Sequence, residues 1–144
     1  LLRALAKVKV DHPDLEAVII GEGYERPALE ALRDELGASD WVRLPGRVSD
    51  EELVASYRRA WVVASSSQRE GWGMTLTEAA ACGTPAVATD IAGHADAVVN
   101  GESGLLVDDV GELPAALGRA RWFTWDATAR RALEALAGEV TSQR

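Results

Sequence analysis

Residues 61–89 read Trp61-Val62-Val63-Ala64-Ser65-Ser66-Ser67-Gln68-Arg69-Glu70-Gly71-Trp72-Gly73-Met74-Thr75-Leu76-Thr77-Glu78-Ala79-Ala80-Ala81-Cys82-Gly83-Thr84-Pro85-Ala86-Val87-Ala88-Thr89. An apolar run, a polar loop, a helix-length segment and a second apolar run follow one another. The pattern predicts a strand over Trp61–Ala64 and a short helix from about Gly73 to Ala81 that stops at Cys82-Gly83. After Pro85 it predicts another strand, Ala86–Thr89. Two strands joined through a helix run parallel, so this stretch is a βαβ unit.

The same alternation extends outward. Upstream, Leu1, Leu5 and Val8 share a helical face that meets the breaker Asp11-His12-Pro13. Ala17–Ile20 reads as a strand ending at Gly21-Glu22-Gly23. Leu29, Leu32 and Leu36 then recur at helical spacing up to Gly37, a natural C′ residue. Trp41–Leu44 is a further strand closed by Pro45-Gly46. Ser49 with Glu52 forms a capping box, opening a helix expected to bury Leu53, Val54 and Tyr57. Downstream come a strand at Leu105–Val107 and a helix around Leu113 and Leu117, with Pro114 in its first turn. A last amphipathic helix, about residues 122–138, carries Trp125, Ala129, Leu133 and Leu136 on one side. Trp41, Trp61 and Trp125 are expected in the core.

Such alternation implies an α/β fold: one parallel sheet, its strands apolar throughout, with helices on both faces. Right-handed crossovers place every strand-to-helix loop at the carboxyl edge, where such sheets bind ligands. The chain opens on a helix where doubly wound domains open on a strand. The expectation is a sheet lacking its first strand, in a fragment of something larger.

Composition narrows the function. The 144 residues carry 15 Lys+Arg against 23 Asp+Glu, a net charge of −8. That balance argues against nucleic acid as a partner, since phosphate neutralisation needs clustered cations. One cysteine, Cys82, excludes an intramolecular disulfide and suits a reducing compartment; it reads as a small buried hydrophobe. His12 reads as helix-end punctuation and His94 as a loop histidine near the ligand edge. Far apart in sequence, they give no metal site.

The chemistry concentrates in Glu70-Gly71-Trp72-Gly73-Met74-Thr75-Leu76-Thr77-Glu78. Gly71 and Gly73 permit a sharp bend and a close ligand approach. The helix start beyond them offers free N–H groups and a positive dipole end, which suit a phosphate. Glu70 and Glu78 are poor phosphate ligands but good acceptors for the hydroxyls of a sugar or ribose. A nucleotide sugar supplies both groups. The spacing leaves a structural alternative open: Thr75 and Glu78 also fit a capping box, with the glycines serving only the turn.

Glu70-Gly71-Trp72-Gly73 followed by Glu78-Ala79-Ala80-Ala81-Cys82-Gly83-Thr84-Pro85-Ala86-Val87-Ala88 closely resembles the signature of the family 4 retaining glycosyltransferases. The likeness covers nearly the whole chain. It takes in Ala17–Gly23, the Leu44–Leu53 turn, Asn100-Gly101-Glu102-Ser103-Gly104-Leu105-Leu106-Val107, and Phe123-Thr124-Trp125-Asp126. Near Ala120-Arg121-Trp122 the chain is shorter than the family pattern by a helical segment. The resemblance implies a Rossmann-like, C-terminal donor-binding domain spanning residues 1–144. The N-terminal acceptor domain, and the loop with diphosphate-clamping Arg and Lys, would lie outside this chain.

The resemblance further implies that Glu70 is the catalytic residue, accepting hydroxyls of the donor sugar. Gly71, Trp72, Gly73 and Met74 would offer backbone N–H groups to sugar and diphosphate, with Thr75 near the phosphates. Glu78 would bind the ribose diol, and Arg47 and Val48 would flank the nucleobase. Trp72 would chiefly fill space beneath the bend. The partners implied are a nucleoside-diphosphate sugar, the N-terminal domain and an acceptor at a membrane face, with no nucleic acid, cofactor or metal. The expected location is the cytoplasm, including the inner membrane face. Alone, the chain is expected to bind nucleotide weakly and not to turn over. The rival functions are a nucleotide-sugar epimerase and a non-catalytic nucleotide-binding module.

Overall fold

Strands and helices alternate along residues 1–120, the part of the chain that the computed structural model describes. The elements are α1 (Leu2–Asp11), β1 (Ala17–Ile20), α2 (Arg26–Glu35), β2 (Val42–Gly46), α3 (Asp50–Arg59) and β3 (Val63–Ser65). They continue with α4 (Met74–Ala81), β4 (Ala86–Thr89), α5 (Ala92–Ala95), β5 (Gly104–Val107), a 3₁₀ turn at Val110–Glu112, and α6 (Leu113–Ala120). The expected last helix, with Trp125, Ala129, Leu133 and Leu136, lies outside the described residues, as does the shortening near Ala120-Arg121-Trp122.

Local chemistry sets the helix ends. Gly37, at φ +61°, takes the left-handed conformation just past α2. The Ser49–Glu52 capping box is present, with Glu52 N–H donating to Ser49 Oγ at 3.2 Å and Ser49 N–H to Glu52 Oε2 at 2.9 Å. Pro114 sits in the first turn of α6, where its missing N–H leaves no orphaned acceptor.

Pairing departs from the expected single sheet. β1 and β2 form a two-stranded parallel sheet, and β3-β4-β5 a separate three-stranded parallel one. Among the described residues no ladder joins the two. Side chains connect them instead: Ala4, Leu5 and Val8 of α1 cluster with Val87, Val107, Leu113, Ala116 and Leu117, and Leu15, Ala17 and Trp41 pack against that cluster. Trp41 therefore lies where expected, against the core.

Only β4 is covered throughout, as the apolar runs had suggested for every strand. Val87 faces the α1–α6 cluster, while Ala86 and Ala88 pack with Leu76 and Val98 on the opposite face. Val18 of β1, by contrast, is 40% exposed. Trp61 and Val54 also prove exposed. Trp61 precedes β3, which begins only at Val63, and among α3 residues only Tyr57 is buried. Cys82 is half-buried just past α4 rather than fully enclosed. Among the described residues no helix is long and apolar enough to cross a membrane.

The first rung of the β4–β5 ladder pairs Ala86 with Gly104, and a methyl group on Gly104 would overlap the Ala86 carbonyl. Gly104→Ala is therefore expected to destabilise the fold by about 1–3 kcal/mol, as overpacking does. A lower urea midpoint at unchanged slope is the check.

Candidate functional site

The site forms where the chain leaves β3 and enters α4. Gly73 is buried at the N-cap of α4; its N–H donates to Gly93 C=O at 2.9 Å, and its C=O accepts from Leu76 and Thr77 N–H. Met74 N–H donates to Trp72 C=O at 2.7 Å. Two of the amides expected to meet a ligand, those of Gly73 and Met74, are thus engaged within the protein. The amides of Gly71, Trp72 and Thr75 have no protein acceptor among the described residues, leaving three donors around a helix start. Of the three, only the Thr75 amide belongs to the first turn of α4 and so carries the macrodipole's positive end; those of Gly71 and Trp72 lie in the bend before the N-cap.

Trp72 does not fill space beneath the bend. It is 38% exposed, with its indole Nε1–H donating to Thr77 Oγ1 at 3.1 Å. Met74 beside it is 59% exposed.

The two glutamates lie on opposite flanks of this helix start. Glu78 projects toward α3, where it accepts the Tyr57 hydroxyl at 2.9 Å. Burial, and then the bond to Glu78, push the Tyr57 phenol above its ordinary range, so it stays a donor. Tyr57 is itself fixed, because its carbonyl accepts the buried Thr84 hydroxyl at 2.6 Å. The Thr75–Glu78 capping box does not form. Helix α4 starts at Met74, which puts Glu78 too far along to reach the N-cap amide. Its second carboxylate oxygen has no protein partner among the described residues.

Glu70, with a third of its side chain exposed, approaches α5, its Oε2 lying 3.5 Å from His94 Nε2. His94 is fully buried and lies on a short helix, α5, where the sequence predicts a loop. Its Nδ1 lies 2.8 Å from the Thr89 carbonyl, and its Nε2 lies 3.2 Å from Ser65 Oγ. Gly93, next to it, packs directly on the bend: a Cβ there would lie 2.5 Å from the Glu70 carbonyl oxygen. The available signal for this neighbourhood was the small-residue run Ala92-Gly93-His94-Ala95 just past a strand's carboxyl end.

Arg47 and Val48 follow β2, at the carboxyl end of the other sheet. Arg47 is exposed and Val48 half-buried. Gly46, at φ +81°, lies beneath the Glu22–Arg26 ion pair, and Arg26 also donates to Leu44 C=O at 2.7 Å. The turn leading to Arg47 is thereby clamped. No hydrogen bond or ion pair among the described residues joins Arg47 or Val48 to the glycine bend. Nor, among those residues, does any group of three or more His, Cys, Asp or Glu come together to hold a metal.

Comparison with known proteins places this geometry. The chain is 44% identical over 128 residues to a D-inositol 3-phosphate glycosyltransferase of Corynebacterium jeikeium, covering 83% of this chain and 30% of that protein. It is 42% identical over 138 residues to the enzyme of the same name from Mycolicibacterium smegmatis, covering 83% and 31%. The chain thus spans less than a third of the length of these relatives.

Two solved structures share the fold. The C-terminal domain of a glycosyl transferase group 1 family protein (LpcC) from Francisella tularensis superposes with a TM-score of 0.75 at 23% identity, over 90% of this chain and 73% of that one. The pneumococcal O-GlcNAc transferase GtfA, solved with UDP and GlcNAc, gives 0.81 at 23% identity, over 95% and 29%. Residues 1–135 match the family described as "Glycosyl transferases group 1". With nearly its whole length matched, and its fold that of parallel strands flanked by helices, the chain belongs to the group 1 glycosyl transferases.

Proposed function

We propose that this chain is the C-terminal, donor-binding part of a retaining glycosyltransferase that takes its sugar from a nucleoside diphosphate. The observation that carries the reading is the helix start with three uncommitted amides, flanked on either side by a carboxylate. The amides of Gly71, Trp72 and Thr75, backed by the dipole of α4, hold the diphosphate and stabilise the charge that builds on it as the sugar's C1–O bond breaks. Gly73 and Met74 shape the bend around it. Glu70 accepts sugar hydroxyls and orients the reacting carbon. Glu78, with one oxygen held by Tyr57, offers the other to the ribose diol. Arg47 and Val48 lie at a strand end where a nucleobase fits.

In this reading the donor side needs no metal, because protein N–H groups carry the electrostatic task. The acceptor domain and the cationic clamp belong to the rest of the enzyme, which works in the cytoplasm on an acceptor that includes membrane-face substrates. The named relatives are glycosyltransferases, which favours transfer over epimerisation.

Titration tests the ribose role. In the full-length protein, Glu78→Ala is expected to weaken binding of UDP or GDP about tenfold, the loss of a hydrogen bond to a charged acceptor. The 2′-deoxy analogue should lose much less. Equal losses for the two would remove Glu78 from the ribose.

A further inference from the structure

His94 makes contacts that neither the fold nor the donor site, as described so far, accounts for. A carbonyl oxygen can only accept, so the 2.8 Å contact between Nδ1 and Thr89 C=O assigns a proton to Nδ1. The Thr89 hydroxyl agrees: it donates to the Ser67 carbonyl and so can only accept from the ring. The imidazole is therefore held at its back by β4, with its Nε2 edge turned toward the glycine bend. That edge meets two groups, Ser65 Oγ at 3.2 Å and Glu70 Oε2 at 3.5 Å.

A carboxylate, too, can only accept, so with Nδ1 already protonated the approach of Glu70 is attractive only in the doubly protonated, cationic form of the ring. Glu70 is the charged group facing the ring. From β3 and β4 the ring meets uncharged groups, the hydroxyls of Ser65 and Thr89 and the Thr89 carbonyl, and the nearby Asp90 and Asp96 are exposed and form no hydrogen bond or ion pair with it.

We propose that His94 is a positioning residue for Glu70: anchored through Nδ1–H to the Thr89 carbonyl, its doubly protonated ring uses Nε2–H to fix where the carboxylate sits beside the glycine bend. The Gly73–Gly93 hydrogen bond acts in the same direction, tying the backbone of the bend to the helix that bears His94. Glu70 then meets the donor sugar in one orientation instead of several, and part of the sugar's contribution to binding comes from that order. The inference rests on the proposed role of Glu70 as the acceptor of sugar hydroxyls.

The test compares a nucleotide with its sugar conjugate in the full-length protein. UDP and UDP-glucose are the probes, or GDP and GDP-mannose if wild type binds that pair more tightly; the readout is the affinity gained from the sugar. His94→Asn keeps an amide near Nδ1 and places nothing at Glu70, whereas His94→Gln returns a donor near Nε2. Asn is expected to reduce the sugar-dependent gain about tenfold, through loss of the charged contact to Glu70, and leave diphosphate affinity unchanged. Gln should recover most of the gain. The diphosphate affinity also reports that each variant is folded. In wild type, ¹⁵N imidazole shifts should show both ring nitrogens protonated; a ring protonated at Nδ1 alone has no Nε2–H for Glu70 and overturns the proposal.

If Glu70→Gln abolishes the gain while His94→Asn preserves it, the positioning role is overturned and the Glu70 assignment stands. A gain that survives Glu70→Gln, or is missing from wild type, overturns both. Equal weakening of both probes by His94→Asn reduces His94 to a structural residue and also overturns the proposal.

Discussion

Gly93→Ala is expected to cost the enzyme about a hundredfold in turnover, the scale of a misplacement of roughly an ångström at a reacting centre. The added methyl would press on the carbonyl of Glu70, 2.5 Å away, and on Gly71 C at 3.0 Å, both backbone atoms with no rotamer to yield. The bend must move off α5, and the Gly73–Gly93 hydrogen bond moves with it. Glu70, Gly71 and Trp72 would all shift relative to α4. The hydrophobic clusters lie on β4, α1, α4 and α6 and do not include Gly93, so the fold should survive. Steady-state kinetics of the full-length enzyme, with a circular-dichroism melt as control, check this. Near-wild-type turnover would show that the bend tolerates displacement.

Leu76→Ala carries the largest expected loss of stability, about 2–5 kcal/mol for a buried leucine whose site cannot collapse. Leu76 is 1% exposed and sits among Ala86, Ala88 and Val98. Those neighbours are small or β-branched and stand on a strand and a short loop, so they can do little to fill the void. The same side chain seats the site helix on the three-stranded sheet. The variant should unfold at lower urea and, where still folded, bind nucleotide more weakly. Loss of stability with unchanged affinity would separate the helix's seating from the site.

Much of the fold was legible locally. Gly37, the Ser49–Glu52 box, Pro114 and the apolar strands Ala17–Ile20 and Ala86–Thr89 act through neighbours a few residues away, and the structure carries each of them. Pairing was not legible. Which strand edges meet depends on backbone partners far apart in sequence, so the split between β1-β2 and β3-β4-β5 left no trace in the periodicity. The exposure of Trp61 and Val54 has a similar origin: residue type states a preference for burial, while the layer in which an element lies decides the outcome.

At the site, the glycine bend and its flanking acids could be read because their spacing is short. Their partners could not. Tyr57 reaches Glu78 from 21 positions away, and Ser65 reaches His94 from 29. Helix α5 has only four residues, Ala92–Ala95, too few to display a helical period, so the burial of its histidine was hidden as well.

The bond from Gly73 to Gly93 has a consequence for how a ligand arrives. A loop rich in glycine ordinarily samples many shapes and surrenders that freedom when it closes on a guest. Here the freedom is surrendered during folding, before any guest appears. Encounter then meets a mould already set, so capture should be paced by diffusion and collision geometry, with little waiting for the chain to rearrange.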